Sequence, residues 1–434
     1  MNESKKNLTV DPNLLQAKPQ VAGGPNATVA SDACFVAIKD PYRPKRLRAS
    51  VCLWLFILIL AFGVQSTSAQ TVWSEGAWYP DSDGGVPAIS EIPWSYLTHV
   101  DFVGGAPQSG GSIALSNSFT ANAAALITAA HANGVKVNYE LGNAAGIGTD
   151  FNDAMSGSCS SGALQTFITN IMSTVNSYGF DGVFVDYEES YSSQFPIFMS
   201  CLRKAMGTKL IEWYAGTNYQ IGQLGAGNAP ICTGAVWPDG VALTVSGYVD
   251  RVIMSGYDLN NPIDSSGVAY FNSPLYNPSG QALWSVDSAA KIATNCGISA
   301  SKVSISIPFY GDLYSINSAP YQTQNPSSAV TPMYYSTLVA TYNLSGATFD
   351  STAKVPWMAV SATGGNPAGY ISYENAQSVT DKINYVYANG LGGWMIWTMG
   401  NDYTSGSMPL LTAVGKAFAP QPQPPTGLQI MLVN

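Results

Sequence analysis

The sequence predicts a (β/α)8 barrel. Three observations predict it. Eight short apolar segments follow one another at 71–79, 97–104, 135–142, 182–187, 209–215, 250–257, 302–309 and 392–398. Between several of them apolar residues recur at i, i+3 and i+4, the spacing that gives a helix one apolar face. Strands alternating with helices point to a parallel sheet wound by crossovers. About 365 residues follow position 69, within the range of ~200 to over 400 known for such barrels with insertions.

In chain order, 71–79 and 97–104 are the first two strands. Ala121–Asn133 is Ala-rich with apolar positions at helical spacing, and 135–142 follows it as the third strand. Leu164–Tyr178 repeats apolar residues helically before the fourth strand, 182–187, and Phe195–Met206 does so after it. The fifth, sixth and seventh strands are 209–215, 250–257 and 302–309. Ala376–Ala388 is the helix before the eighth, 392–398. The barrel domain is set at 70–419. A Pro-Gln-Pro-Gln-Pro-Pro run, Pro420–Pro425, opens a stiff C-terminal tail, 420–434.

The first 69 residues are of another kind. Lys45-Arg46-Leu47-Arg48 precedes an uninterrupted apolar run from Val51 to Val64, and Gln-Ser-Thr-Ser-Ala follows it. A basic flank, a short apolar core and a small-residue site describe an export signal spanning 45–69. The run is short of the ~20 residues a membrane span needs. Cleavage is expected near Ala69–Gln70, which leaves a secreted chain; an uncleaved N-terminal anchor is the alternative. Residues 1–44 show no hydrophobic periodicity and are read as disordered or as an upstream misassigned start.

Only 10% of residues are charged while 46% are hydrophobic, against about 25% charged in ordinary soluble domains. Such a surface of small polar and aromatic residues suits a protein that meets a neutral polymer outside the cell. Positions 1–69 hold 8 basic and 4 acidic residues, which leaves 10 and 23 downstream, near −13. That balance argues against nucleic acid and anionic lipid as partners. Of six cysteines, Cys34 and Cys52 fall in the expected leader. Cys159, Cys201, Cys232 and Cys296 remain, an even number in an exported chain. Three pairings are open; 159–201 with 232–296 closes the shortest loops. A zinc site is not expected, since there is no Cys-x-x-Cys and only His99 and His131 are present.

The most informative stretch is 178–189, Tyr-Gly-Phe-Asp-Gly-Val-Phe-Val-Asp-Tyr-Glu-Glu. Alternate side chains on a strand share a face, so Phe184, Asp186 and Glu188 point one way and Tyr187 the other. Two carboxyls side by side repel, and one tends to keep its proton near neutral pH. A protonated acid beside a carboxylate is what cleavage of a glycosidic bond needs. On spacing alone, the acids fit equally well a strand end that caps a helix at Ser190.

The stretch resembles the active-site strand of glycoside hydrolase family 18, the chitinase family, whose pattern is Asp-Gly-x-Asp-x-Asp-Trp/Tyr-Glu. Asp181, Gly182, Asp186, Tyr187 and Glu188 match it. Further resemblances fall in order along 71–418: Val100-Asp101-Phe102 in strand two, Lys302–Gly311 in strand seven, Leu391–Trp397 in strand eight. Residues 347–387 resemble the segment before the eighth strand, and the gap from Tyr310 to Gly392 has room for the family's small α+β insertion.

The resemblance implies a retaining glycosidase acting on chitin or another N-acetylglucosamine-containing glycan, as a monomer, with no metal or cofactor, and with no membrane association after leader removal. The sugar's own acetamido oxygen is the implied nucleophile, an exception to the two-carboxylate scheme. Glu188 is the implied general acid, then base. Asp186 orients the acetamido N–H and stabilises the oxazolinium. Tyr257 holds the acetamido oxygen. Asp258, Asp181, Tyr187 and Trp397 are the implied substrate-binding residues, with Trp397 as an apolar floor under the sugar. Trp73, Trp78, Trp213, Tyr214, Trp237 and Trp284 could line further sugar subsites, although each alone is more often core or ordinary surface.

Three departures from the pattern stand out. Met254 sits one residue early for the family's Met-x-Tyr-Asp, so only Tyr257 and Asp258 carry over. The third strand ends Glu140-Leu141-Gly142-Asn143 where the family has Ser-x-Gly-Gly. Phe184 replaces the middle Asp, which leaves Asp186 without an acidic partner below it. A non-hydrolysing chitinase-like lectin is therefore an alternative, although such relatives typically lose the Glu kept here. Substrates in N-glycan cores or peptidoglycan are another.

Overall fold

The computed structural model describes residues 71–418, except 143–147, 189–190, 217–220, 222, 225–229, 233–236, 260–268, 278–282, 316 and 323–329. The expected leader, the 1–44 extension, the tail after 419, Asn143 and the Ser190 cap lie outside the described residues.

All eight expected strands form: β1 (Trp73–Trp78), β2 (His99–Pro107), β3 (Lys136–Leu141), β4 (Gly182–Asp186), β5 (Leu210–Ala215), β6 (Arg251–Met254), β7 (Val303–Pro308) and β8 (Gly393–Trp397). Each runs parallel to its neighbours. Trp73 pairs with Gly393 of β8 and Gly76 with Val100 of β2, so β1 closes the ring. β6 is shorter than its apolar run suggests. It stops at Met254, and Ser255–Asp258 continue past it as irregular chain at the barrel mouth.

The helices pack outside. They include α1 (Asn117–Ala132), α2 (Gly162–Tyr178), α3 (Phe195–Met206), α4 (Val286–Asn295), α5 (Ala376–Ala388) and α6 (Pro409–Ala417). α1 begins four residues before its apolar pattern because the Ser116 hydroxyl accepts from Phe119 N at 3.0 Å, an N-cap satisfying a donor the helix cannot. α2 ends at Gly179, whose φ of 86° is left-handed, the usual glycine stop.

Strand alternation splits the barrel into two apolar zones. Val100, Phe102, Val183, Val185, Val252 and Ile305 face outward and pack under the helices. Ala77, Val103, Phe184, Tyr214, Ile253 and Met395 face inward as a separate cluster. Beneath that plug lies a buried polar layer. The carboxyls of Glu75, Asp101 and Glu212 come within 4.8 Å of one another. Asn138 Nδ2 donates to Asp101 (3.2 Å) and Glu212 (2.5 Å). The Arg251 guanidinium lies 4.0 Å over the Trp73 ring and donates to Ser301 O. Burial, then the Asp101 charge, pushes Glu75 up to about 8, and burial pushes Asp101 up to about 7. Burial thus favours their neutral forms, which is how a low-dielectric interior tolerates acids.

The expected insertion is present between β7 and β8. Strands Tyr310–Tyr314, Val330–Tyr334, Thr348–Asp350, Val355–Val360 and Gly369–Ser372 form one antiparallel sheet with a helix at Tyr335–Thr341. Both expected disulfides form, Cys159–Cys201 and Cys232–Cys296, with Cα–Cα separations of 5.4 and 5.3 Å. The first ties the loop before α2 to α3, and the second ties a loop after β5 to the end of α4. Among the described residues no helix is long and apolar enough to cross a membrane.

Candidate active site

β4 reads the barrel's logic residue by residue. A Cβ on Gly182 would sit 2.5 Å from Leu210 O and 2.6 Å from Asn138 Oδ1, so only glycine fits where the strand enters. Val183 and Val185 face the helices. Phe184, Asp186 and Glu188 face one bowl at the C-terminal mouth, shared with Tyr214, Tyr257, Asp258, Tyr310, Met395 and Trp397. The bowl holds about 470 Å³ of atom-free space and opens to solvent. The C-terminal face is where this architecture places its sites.

Glu188 reaches water at the mouth but stands low among packed atoms. That crowding raises the pKa of its carboxyl above the ordinary range, and the Asp258 charge raises it further. Asp186, below it, is only 8% exposed. Asp258 has a left-handed φ of 53°, a conformation Asp tolerates better than most residues. Its N–H donates to Asn272 Oδ1 at 2.7 Å, and Tyr310 Oη donates to its Oδ1 at 2.8 Å. The Tyr257 and Tyr214 rings lie 6.2 Å apart and nearly parallel. Burial pushes both phenols well above their ordinary pKa, so they remain neutral donors. Trp397 ends β8 on the far side, with Tyr79 beside it at 6.2 Å between ring centres.

The bowl thus gathers Glu188, Asp186, Tyr257, Asp258 and Trp397. It does not gather the other two expected residues. Asp181 lies at the opposite end of β4, where its carboxylate meets His131 Nε2 at 2.8 Å and accepts from Val137 N at 2.9 Å. It ties the strand's entry to α1 and β3. Tyr187 points outward, as its odd position requires. Its hydroxyl donates to Asn152 Oδ1, and its ring stacks on Phe195 at 4.6 Å.

Of the candidate subsite aromatics, only Tyr214 lines the bowl. Trp78, Trp213 and Trp237 are buried outside the barrel, Trp284 packs against that same outer core, and Trp73 stacks on His99 below. Tyr310 and Met395 were not singled out by sequence. Both sit inside the matched seventh- and eighth-strand segments, and their period-2 positions are the signal that places them inward.

One expectation about Asp186 is corrected. It does have an acid nearby, from the neighbouring strand rather than its own. Glu140, fully buried, is the register partner of Phe184. A Cβ built on Gly142 would lie 2.6 Å from Asp186 Cβ and 2.9 Å from Glu140 Oε1, so both crowd one point.

A closed (β/α)8 barrel whose fourth strand delivers two carboxyls into an aromatic-lined bowl is the architecture of a glycoside hydrolase. The sequence profile of glycosyl hydrolases family 18 matches residues 73–402, and the chain belongs to that family. A probable endochitinase of Caenorhabditis elegans is 26% identical over 288 residues, covering 59% of this chain and 44% of that protein. Chitotriosidase-1 of Mus musculus is 27% identical over 263 residues, 56% of this chain and 54% of that one. The chain thus spans about half the length of these curated relatives. Among solved structures, the group IV chitinase of Ostrinia furnacalis superposes with a TM-score of 0.65 at 18% identity, over 80% of this chain and 99% of that one. A chitinase-like agglutinin of Robinia pseudoacacia superposes at 0.63 and 19% identity, over 80% and 99%. A chitinase and an agglutinin share the fold, so side chains rather than fold decide what it does.

Proposed function

We propose that the protein is a secreted retaining glycosidase that cleaves β-1,4 bonds of N-acetylglucosamine polymers, chitin first, with the substrate's acetamido group as nucleophile. One observation carries the reading: Glu188, its proton affinity raised by crowding and by Asp258, shares an open bowl with Asp186. A carboxyl that keeps its proton can give it to the leaving oxygen. The acetamido oxygen then attacks the anomeric carbon from the opposite face. Asp186 receives the acetamido N–H and balances the oxazolinium charge. Tyr257, packed beside Tyr214, directs the acetamido oxygen, and the Trp397 ring offers its face to the sugar. Glu188, now ionised, takes a proton from water, which opens the oxazolinium with net retention. All of this uses the chain's own residues and the substrate. Export is supported by the apolar run 51–64 and by two disulfides, which persist in oxidising compartments.

A second reading, glycan binding without cleavage, is favoured by Phe184 standing where the family's middle acid belongs and by the likeness to an agglutinin. Incubating the full chain with chitooligosaccharides and weighing the products by mass spectrometry separates the two. Shorter oligomers support the hydrolase. Intact oligomers that remain bound support the lectin.

A further inference from the structure

A long-range contact crosses the rim of the bowl, and the mechanism does not use it. The Tyr334 and Ser82 hydroxyls share a hydrogen bond at 2.9 Å, although they stand 252 positions apart in the chain. Ser82 lies in the turn after β1, three residues past Tyr79. Tyr334 closes the insertion strand Val330–Tyr334, an outer edge of that sheet. Each partner belongs to a segment that carries an aromatic ring to the bowl. Tyr334 is the register partner of Tyr310, which lines it. Tyr79 stands beside Trp397, with ring centres 6.2 Å apart. Burial pushes the Tyr79 hydroxyl up to about 12, and Tyr334 is among the neighbouring groups that add to the rise.

A bond between two exposed hydroxyls is weak alone. Both ends of this one are pinned from below, and the pins meet at Trp397. On one side, the Ser82 and Asp83 N–H groups donate to Tyr79 O at 3.0 and 2.9 Å. The buried Asp83 carboxyl accepts from Thr398 Oγ1 at 2.6 Å, and Thr398 directly follows Trp397. On the other side, Tyr335 N donates to Phe309 O at 3.0 Å, and Phe309 N donates to Trp397 O at 2.8 Å. The turn and the edge strand are therefore fixed walls flanking Trp397. The Tyr334–Ser82 bond joins them at the surface, where Tyr334 is 40% exposed.

We propose that Tyr334 and Ser82 determine where along a glycan the protein acts: their bridge makes the bowl blind beside Trp397, so the site takes the end of an N-acetylglucosamine chain and not its middle. The inference rests on the glycan reading given above. A chain laid across the bowl would have to pass through the joined walls, whereas a chain end stops against them. The distance from the wall to Glu188 is fixed by the barrel. Successive cuts therefore release fragments of one length.

The test compares bond cleavage with chain shortening. The full chain is given glycol chitin, a soluble neutral chitin derivative, while new reducing ends and viscosity are both followed. The wild type should create ends with little loss of viscosity, and should cut chitohexaose into a single complementary pair of products. Tyr334→Ala removes the ring from an exposed edge position, where folding is little affected. Its loss of viscosity per new end should rise at least about tenfold, with several product pairs from chitohexaose. Ser82→Ala keeps the ring and loses only the bond, and the same ratio should rise about 2–10-fold, the scale of one hydrogen bond. A merely structural role would lower both rates together and leave their ratio unchanged. A wild type that thins the polymer as fast per new end as Tyr334→Ala overturns the proposal. If Tyr334→Ala does not fold, an unchanged ratio in Ser82→Ala overturns it. If the wild type binds glycol chitin without cleaving it, the hydrolase reading fails by itself and binding decides. The number of protein molecules bound per polymer chain, measured by calorimetry, should then stay at about one as the chain lengthens, as one blind end per molecule requires. A number that grows with chain length overturns the proposal.

Discussion

The Tyr310 hydroxyl donates to Asp258 Oδ1 across 2.8 Å. Tyr310 opens the first strand of the insertion and Asp258 follows β6, so the insertion reaches into the barrel mouth and holds the charge that acts on Glu188. Burial is the larger cause of the raised Glu188 pKa and Asp258 the second. Asp258→Asn removes that second cause while keeping the shape. The Glu188 pKa should fall, and the alkaline limb of the kcat/KM profile, where the acid loses its proton, should move to lower pH. A limb that stays put or moves up would separate Asp258 from the acid.

Glu188→Gln and Asp186→Ala divide the chemistry between them. The first should lower hydrolysis of chitooligosaccharides by about 10²–10⁴-fold, the scale of a positioned acid/base, with folding little changed. The second should weaken binding of a thiazoline analogue, because its cationic ring loses its counter-charge. A Glu188→Gln enzyme within about threefold of wild type, or equal analogue affinity in Asp186→Ala, would remove that residue from its role.

Phe184 is 1% exposed and belongs to the inner apolar cluster with Ala77, Val103 and Met395. Phe184→Asp alone should cost about 3–5 kcal/mol for the lost ring. The new carboxyl also lands beside Glu140, its register partner on β3, and on the same strand face as Asp186, which places a third acid near two others. Thermal unfolding should show a lower Tm, and activity should not rise. A variant with wild-type Tm and faster turnover would mean the site is built around an absent carboxylate, and the binding-only reading would gain.

The closed end of the barrel predicts a pH dependence of stability. Folded Glu75 is pushed up to about 8 from an ordinary 4.5, and Asp101 to about 7 from 3.8. Below the ordinary carboxyl range both states hold these protons, and the contribution is fully present. As pH rises, the unfolded chain releases them first while the folded chain keeps them. Stability therefore falls with rising pH until about 8, where the folded protein releases them too. Tm should drop between about pH 5 and 8, and Glu75→Gln should flatten the slope. A Tm that is level or rises over that window would contradict the assignment.

The barrel was legible because its strands are apolar runs and its helices repeat at 3.6 residues, signals that need only local sequence. Asp186 and Glu188 were legible for the same reason: period 2 along one strand fixes their shared face. What escaped depends on register between strands. Nothing local to Glu140 says that it crowds Asp186, because only the β3–β4 pairing brings them together. Asp181 matched the motif but lies at the strand's entry, and a motif does not say which matched residues reach the mouth. Glu75, Asp101 and Glu212 interrupt apolar runs, and sequence alone gives no sign that they meet beneath the plug.

The most direct test follows the stereochemistry of the first product by proton NMR during hydrolysis of chitotetraose. Attack by the acetamido group followed by water inverts the anomeric centre twice. The β-anomer should therefore appear first and mutarotate slowly to the equilibrium mixture. An initial α-anomer, or no product at all from folded protein, would contradict the account.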